Sequence, residues 1–170
     1  MDFDKNNFYE DGVARVLSLI RNTFGDYFKG YFDAELLNIP EESLPCIMVT
    51  ETTGTVSSGA TTQDDITENI TIIVALNIKD DLGNGENSNL TGFKVRKLVK
   101  GQVAGTGFAP EWQPKSIMGV LRQYITLEES ASDTEITTEF GPNVRGKNIA
   151  TEEGHVSLQI KRSASVIIRQ

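Results

Sequence analysis

The chain reads as an α+β domain: a two-layer sandwich in which a largely antiparallel four-stranded sheet carries two helices packed on one face, with long hairpin loops. Three observations predict this. An opening stretch spaces its apolar residues as a helix does, a central stretch alternates with period two, and the elements follow the order helix, two strands, helix, two strands, so that adjacent strands pair as hairpins. A length of 170 residues suits one domain over 1–170, since no repeat or composition shift divides it.

The first helix lies in "FYEDGVARVLSLIRNTFGDYF", where Val13, Val16, Leu17, Ile20, Phe24, Tyr27 and Phe28 recur at spacings of three and four. Glu10 and Asp11 occupy its first turn, where the helix dipole favours anions. Pro40 and Pro45 in "NIPEESLP" break the helical pattern and lead extended chain into a short strand, "CIMVTET". The clearest strand is "ITENITIIVALNIK": Ile70, Ile72, Val74, Leu76 and Ile78 face one way, and Thr71, Ile73, Ala75, Asn77 and Lys79 the other. Five apolar residues in period two make it central, with the first helix as the cover for its apolar face.

Between these strands lies "TETTGTVSSGATTQ", residues 50–63, almost free of charge and of apolar side chains. It is too polar for the core and reads as a long hairpin tip, either an assembly arm or a mobile loop. After "DDLGNGENSN", with Asn87, Ser88 and Asn89 as competent N-caps, "LTGFKVRKLVKGQV" reads as the second helix and ends at Gly101. "SIMGVLRQYITL" fits either period and is read as extended or mixed. "DTEITTEF" is a strand, residues 141–154 a long loop, and "HVSLQIKRSASVII" the last strand, which Arg162 is expected to bend or release from the sheet.

The net charge of −8 is unevenly spread. Residues 93–127 hold six Lys or Arg against one acid, while residues 1–43 and 44–92 hold four against nine and one against seven. A basic segment set among acidic ones suits a protein partner of complementary charge better than nucleic acid, because its cations are not interleaved with aromatics and the surrounding acid repels a polyanion. One cysteine, Cys46, and one histidine, His155, exclude an internal disulfide and a Cys/His zinc site. The acidic start lacks the features of a signal peptide, and no apolar run approaches membrane-spanning length, so a reducing cytoplasm or a particle assembled in one, without secretion or membrane, is expected.

The chemical motifs fail on inspection. "GPNVRGKN" at Gly141 imitates a phosphate-binding loop, but Asn148 replaces the hydroxyl residue, Pro142 removes an amide and no helix follows. "GQVAGTG" follows no strand, as a dinucleotide site requires. The acid pairs Asp64/Asp65, Asp80/Asp81, Glu128/Glu129 and Glu152/Glu153 point to opposite faces of any strand they occupy and read as solvated edge charges. His155 has no nucleophile in a recognisable context, and Cys46 reads as core. Trp112, between prolines, fills either its own core or a neighbour's pocket. No enzyme, cofactor or metal is expected.

A small acidic domain with an amphipathic N-terminal helix, a hairpin with a long polar tip, a second helix and a final hairpin resembles the tail terminator and neck proteins of tailed bacteriophages, the ring-forming family that includes the phage lambda tail terminator. The resemblance lies in element order over nearly the whole chain. Only "KSIMGVLRQYITL" is reminiscent of a particular segment, the one between that family's second helix and third strand. It implies a virion protein, assembled in the host cytoplasm, that forms a hexameric ring at the head-proximal end of the tail. Such a ring ends tail-tube polymerisation, meets a head-side connector or stopper protein, and lets DNA pass through its lumen without specific binding. Candidate subunit-interface residues are then Lys94, Arg96, Lys97 and Lys100 on the second helix, Thr53, Val56, Ser57, Ser58 and Thr61 in the polar stretch, Trp112, and Arg145 and Lys147 in the late loop. A head-closure or other neck adaptor, a non-viral oligomeric binding module, and a small enzyme with a site built between chains remain as alternatives.

Overall fold

A computed structural model describes residues 11–59, 62–79, 89–103, 111–124 and 133–165. Helix α1, Gly12–Phe24, begins at Asp11, whose Oδ1 accepts a 2.8 Å hydrogen bond from the Ala14 amide. Asp11 is therefore the N-cap and not a first-turn residue, while Glu10 lies outside the described residues. The helix stops where Gly25 takes a φ of 54°, a left-handed value that favours glycine. Tyr27 and Phe28 thus leave the helical stripe assigned to them. A 3₁₀ turn, Gly25–Tyr27, swings Phe28 into the core instead, where its ring stands edge-on to Phe24, Tyr27 and Tyr31.

The sheet overturns the expected four-stranded, largely antiparallel arrangement with two helices. It has five strands in the order β1, β2, β3, β7, β6, namely Gly30–Phe32, Cys46–Ser58, Gln63–Asn77, Ile149–Ser165 and Asp133–Arg145, and β1 runs parallel to β2. A three-residue strand is too short to show an alternation. Its parallel partner is reached through the 33–45 crossover, which contains only a 3₁₀ turn at Glu41–Ser43 and so carries no helical signal either. Two further strands, β4 (Gln102–Val103) and β5 (Glu111–Trp112), pair with each other outside the main sheet.

Three helices among the described residues pack on one face. They are α1, α2 (Asn89–Lys100) and α3 (Ile117–Gln123), and the last corrects the extended reading of "SIMGVLRQYITL". Ser116 decides that segment locally: its Oγ accepts from the Gly119 amide at 3.0 Å and donates to the Gln113 carbonyl at 2.8 Å, a buried N-cap. Ile117, Val120 and Leu121 are then buried beside Val16 and Ile20 of α1, Val95 and Val99 of α2, and the period-two stripe of β3. Helix α2 comes close enough to β7 that a Cβ on Gly154 would lie 2.8 Å from Val99 and 2.9 Å from Val95. Asn87 and Ser88, and the acid pairs at 80–81 and 128–129, lie outside the described residues.

The opposite sheet face is covered too, which the one-sided sandwich did not anticipate. The crossover lays Ile39 and Leu44 on Cys46, Met48, Ile73 and Ala75, with Phe32, Leu36 and Ile149 at the margin. Ile73 and Ala75 point away from the helices yet are fully buried. The Leu36 amide donates to the Met48 sulfur at 3.3 Å.

Both expected long loops are largely strand. Residues 141–154 are the end of β6, a turn at 146–148 and the start of β7; Gly146 and Asn148 supply the positive φ values the turn needs. Residues 50–63 continue β2 and open β3, with pairs running out to Ser58 and Asp64 and one irregularity between Glu51 and Thr53. Nor does Arg162 break β7. It pairs with Ile66; Ser163, Ala164 and Ser165 stay in register with β3, and the Arg162 guanidinium is held by Glu68 at 2.7 Å. No described helix is long and apolar enough to cross a membrane.

Candidate functional site

The candidate interface residues fall in three separate places. The first is the outer side of α2. Thr91, Val95 and Val99, four residues apart, are buried, so Phe93, Arg96, Lys97 and Lys100 share the opposite stripe at i, i+3, i+4 and i+7. With Gly101, Gln102 and Gln113 they line a groove of about 250 Å³. Phe93 is 54% exposed at its wall. The Lys100 ammonium sits 5.5 Å from the centre of the Phe140 ring, which steadies it at the groove's edge. Lys94 is exposed on the same helix, and Trp112, 37% exposed, adjoins the groove through its pairing with Gln102.

The second place is the β2–β3 hairpin beyond the helices. Thr53, Val56, Ser57 and Ser58 are all exposed along β2, and Thr61 lies outside the described residues. Alternation sorts them by face. Val56 pairs with Ile66 and Ser58 with Asp64, on the side continuous with the helix-covered stripe, whereas Thr53 pairs with Asn69 on the other side. Val56 is 68% exposed. The far side is polar: Thr52, Asn69, Thr71, Thr137, Ser157 and Gln159 border a shallow groove of about 210 Å³.

The third place holds Arg145 and Lys147, and the structure separates them. Lys147 is exposed in the turn, but Arg145 is buried. Its Nε and Nη2 each donate to Glu153 at 2.8 Å, and its Nη1 donates to Glu35 at 2.8 Å and to the Leu36 carbonyl at 3.0 Å. Such a guanidinium is unavailable to another subunit. Glu153, expected as a solvated edge charge, accepts further bonds from Thr151 at 2.9 Å and Asn143 at 3.2 Å, with His155 Nε2 at 2.9 Å. Burial alone would raise the Glu153 carboxyl, but the bonds from Arg145, His155, Thr151 and Asn143 outweigh it and hold the group well below the usual carboxylate range. The Glu153 bonds raise the Arg145 guanidinium further, against the opposing effect of burial.

This cluster has the chemistry of a clamp. Both carboxylate oxygens are saturated with donors, which leaves no lone pair directed at a substrate, and the bonds tie the crossover at Glu35 and Leu36 to β6 and β7. Nearby Cys46 is buried, and its thiol is pushed up to about 12 by burial, with Glu153 adding and Arg145 opposing, so it is a poor nucleophile. Among the described residues no group of His, Cys, Asp and Glu is placed to hold a metal ion. The sequence offers little sign of the clamp, because Arg145 and Glu153 become neighbours only through the hairpin register that joins Asn143 to Thr151.

No family model matches the chain, and no curated protein matches it.

Proposed function

We propose that this chain is a ring-forming structural protein of a phage tail, placed at its head-proximal end, where the ring terminates the tube and joins it to the head-side connector around a DNA channel. The observation that carries this reading is the separation of two unlike surfaces on one subunit. A basic, partly aromatic groove flanks α2, and a polar hairpin with an exposed Val56 stands beyond the helices. Closed head-to-tail rings need such a pair of unlike patches, whereas a two-fold dimer needs one self-complementary patch.

The charge pattern agrees with it. The chain is acidic overall, so a cluster of cations on one helix is attracted to the rest of another copy, and an acidic lumen would let DNA slide without adhering. Helix order and the two hairpins support the resemblance from which the reading began. The order differs from the expected one by β1 at one sheet edge and by β4, β5 and α3 between α2 and the last hairpin, while the β2–β3 and β6–β7 hairpins still flank α2 in the chain.

Electron microscopy of the purified protein, with light scattering, tests the reading. Rings with a central hole are the expected result, and a strict monomer of about 19 kDa (18.7 kDa from the sequence) at every concentration counts against it. Reversing both Lys97 and Lys100 to Glu should weaken assembly while leaving the circular dichroism unchanged. Undiminished assembly of that variant would remove α2 from the interface.

A further inference from the structure

Taking the assembly reading as its basis, we infer that the β2–β3 hairpin of one copy docks in the α2 groove of the next, with Val56 and Ile66 against Phe93 and Asp64 against Arg96 and Lys97. The two surfaces match in kind. On the hairpin, Val56 and Ile66 form an apolar pair, and Asp64, two residues before Ile66, lies on the same strand face beside Ser58. In the groove, Phe93 supplies exposed apolar surface, and Arg96 and Lys97 lie three and four residues further along the same stripe. An apolar centre flanked by opposite charges is the general anatomy of a specific contact.

Reach excludes docking within one copy, so the groove that takes the hairpin belongs to a second copy. Val95 and Val99 of α2 close on Gly154, and Gly154 pairs with Val74. Ile66 is eight residues from Val74 along β3, about 26 Å at the rise of a strand. Both hairpin strands are locked in register, β3 against β7 on one side and β2 on the other, so the hairpin cannot fold back onto its own groove. A contact between two different patches on successive copies is heterologous, and it propagates into a ring when the rotation closes.

The test uses the full chain in two cysteine variants, Val56→Cys and Phe93→Cys, mixed and mildly oxidised. Both positions are exposed, and the native Cys46 is buried. A covalent dimer is expected from the mixture and from neither variant alone. Val144→Cys mixed with Phe93→Cys should give none, since Val144 is exposed at the other hairpin.

A charge exchange provides a readout that does not depend on the cysteines. Asp64→Lys and Lys97→Glu should each weaken association about five-fold, and the doubly exchanged chain should recover most of the loss. Oligomers that form without the 56–93 bond and without recovery on exchange would overturn the docking while leaving the ring in place. A chain that stays monomeric at its highest soluble concentration, and yields no crosslink, would overturn both.

Discussion

Replacing Glu153 by Gln tests the clamp and the energetics behind it. The Arg145 and Glu153 side chains are 3% and 1% exposed, and two 2.8 Å bonds join them. Glu153→Gln removes the charge but keeps the shape, leaving the guanidinium with Glu35, which is 44% exposed, and the Leu36 carbonyl. Breaking one side of a buried pair costs about 3–5 kcal/mol, because the remaining charge stays desolvated. At about 2–4 °C per kcal/mol for a chain of this size, the melting temperature should fall by roughly 6–20 °C. Urea unfolding followed by circular dichroism at neutral pH measures the loss directly. Acid adds a second test. The Glu153 pKa is depressed in the folded state, so its contribution is complete above the unfolded value of about 4.3 and declines as pH falls through and below that value. The gap between wild type and variant should therefore narrow on acidification. The double variant Arg145→Met, Glu153→Leu should recover much of the loss, since an apolar pair of similar size avoids the desolvation. A neutral-pH loss under about 1 kcal/mol, the range of an exposed pair, would refute the reasoning.

Other substitutions separate the effects at work. Glu68 also meets an arginine, Arg162, at 2.7 Å, but burial raises its carboxyl and outweighs the lowering by Arg162, and its Oε2 has no hydrogen-bond partner among the described residues. Glu68→Gln should accordingly change stability by under about 1 kcal/mol at neutral pH, against several for Glu153→Gln. A raised carboxyl contributes most below the ordinary carboxylate pKa and loses that contribution as pH rises through the raised value, so this variant should compare worst with wild type in acid. Ser116→Ala should cost about 1–2 kcal/mol in the same urea measurement, through the lost cap of α3 and the bereft Gln113 carbonyl. Gly154→Ala should cost about 1–3 kcal/mol, since the new methyl would meet Val95 and Val99 inside van der Waals distance.

The legible parts of the fold were those with long, one-sided periodicity. The β3 stripe and the apolar face of α1 are visible because burial is decided by one neighbouring layer over several turns or pairs, whereas the burial of Val95 on α2 beside an exposed Phe93 is not. Where contacts from elsewhere decide, the sequence is silent. Strand β1 is three residues held by a parallel partner, and the crossover covers Ile73 and Ala75 with a segment whose regular structure is a single 3₁₀ turn. In α3 a single serine cap settles an ambiguous period. Arg145 and Glu153 look like surface charges because each is hydrophilic alone, and only the register of β6 on β7, with the crossover above, makes burial tolerable. Of the candidate site, the α2 cations were readable from helical spacing. The groove beside them depends on the position of Gln113, which no local pattern specifies.

The β3–β7 ladder runs from Asn77 and Thr151 out to Gln63 and Ser165 in one unbroken register, so the buried half and the projecting half are the same two strands. The projection therefore behaves as a cantilever with no hinge at its root. Its tip direction is fixed by the packing of Ile70, Ile72 and Val74 beneath the helices, and a load applied near Val56 is borne by the core itself. In a head-to-tail assembly, a built-in angle of this kind would set the turn from one subunit to the next. The number of copies in a closed ring would then be a property of the single folded chain, and would change with the twist at the irregularity between Glu51 and Thr53.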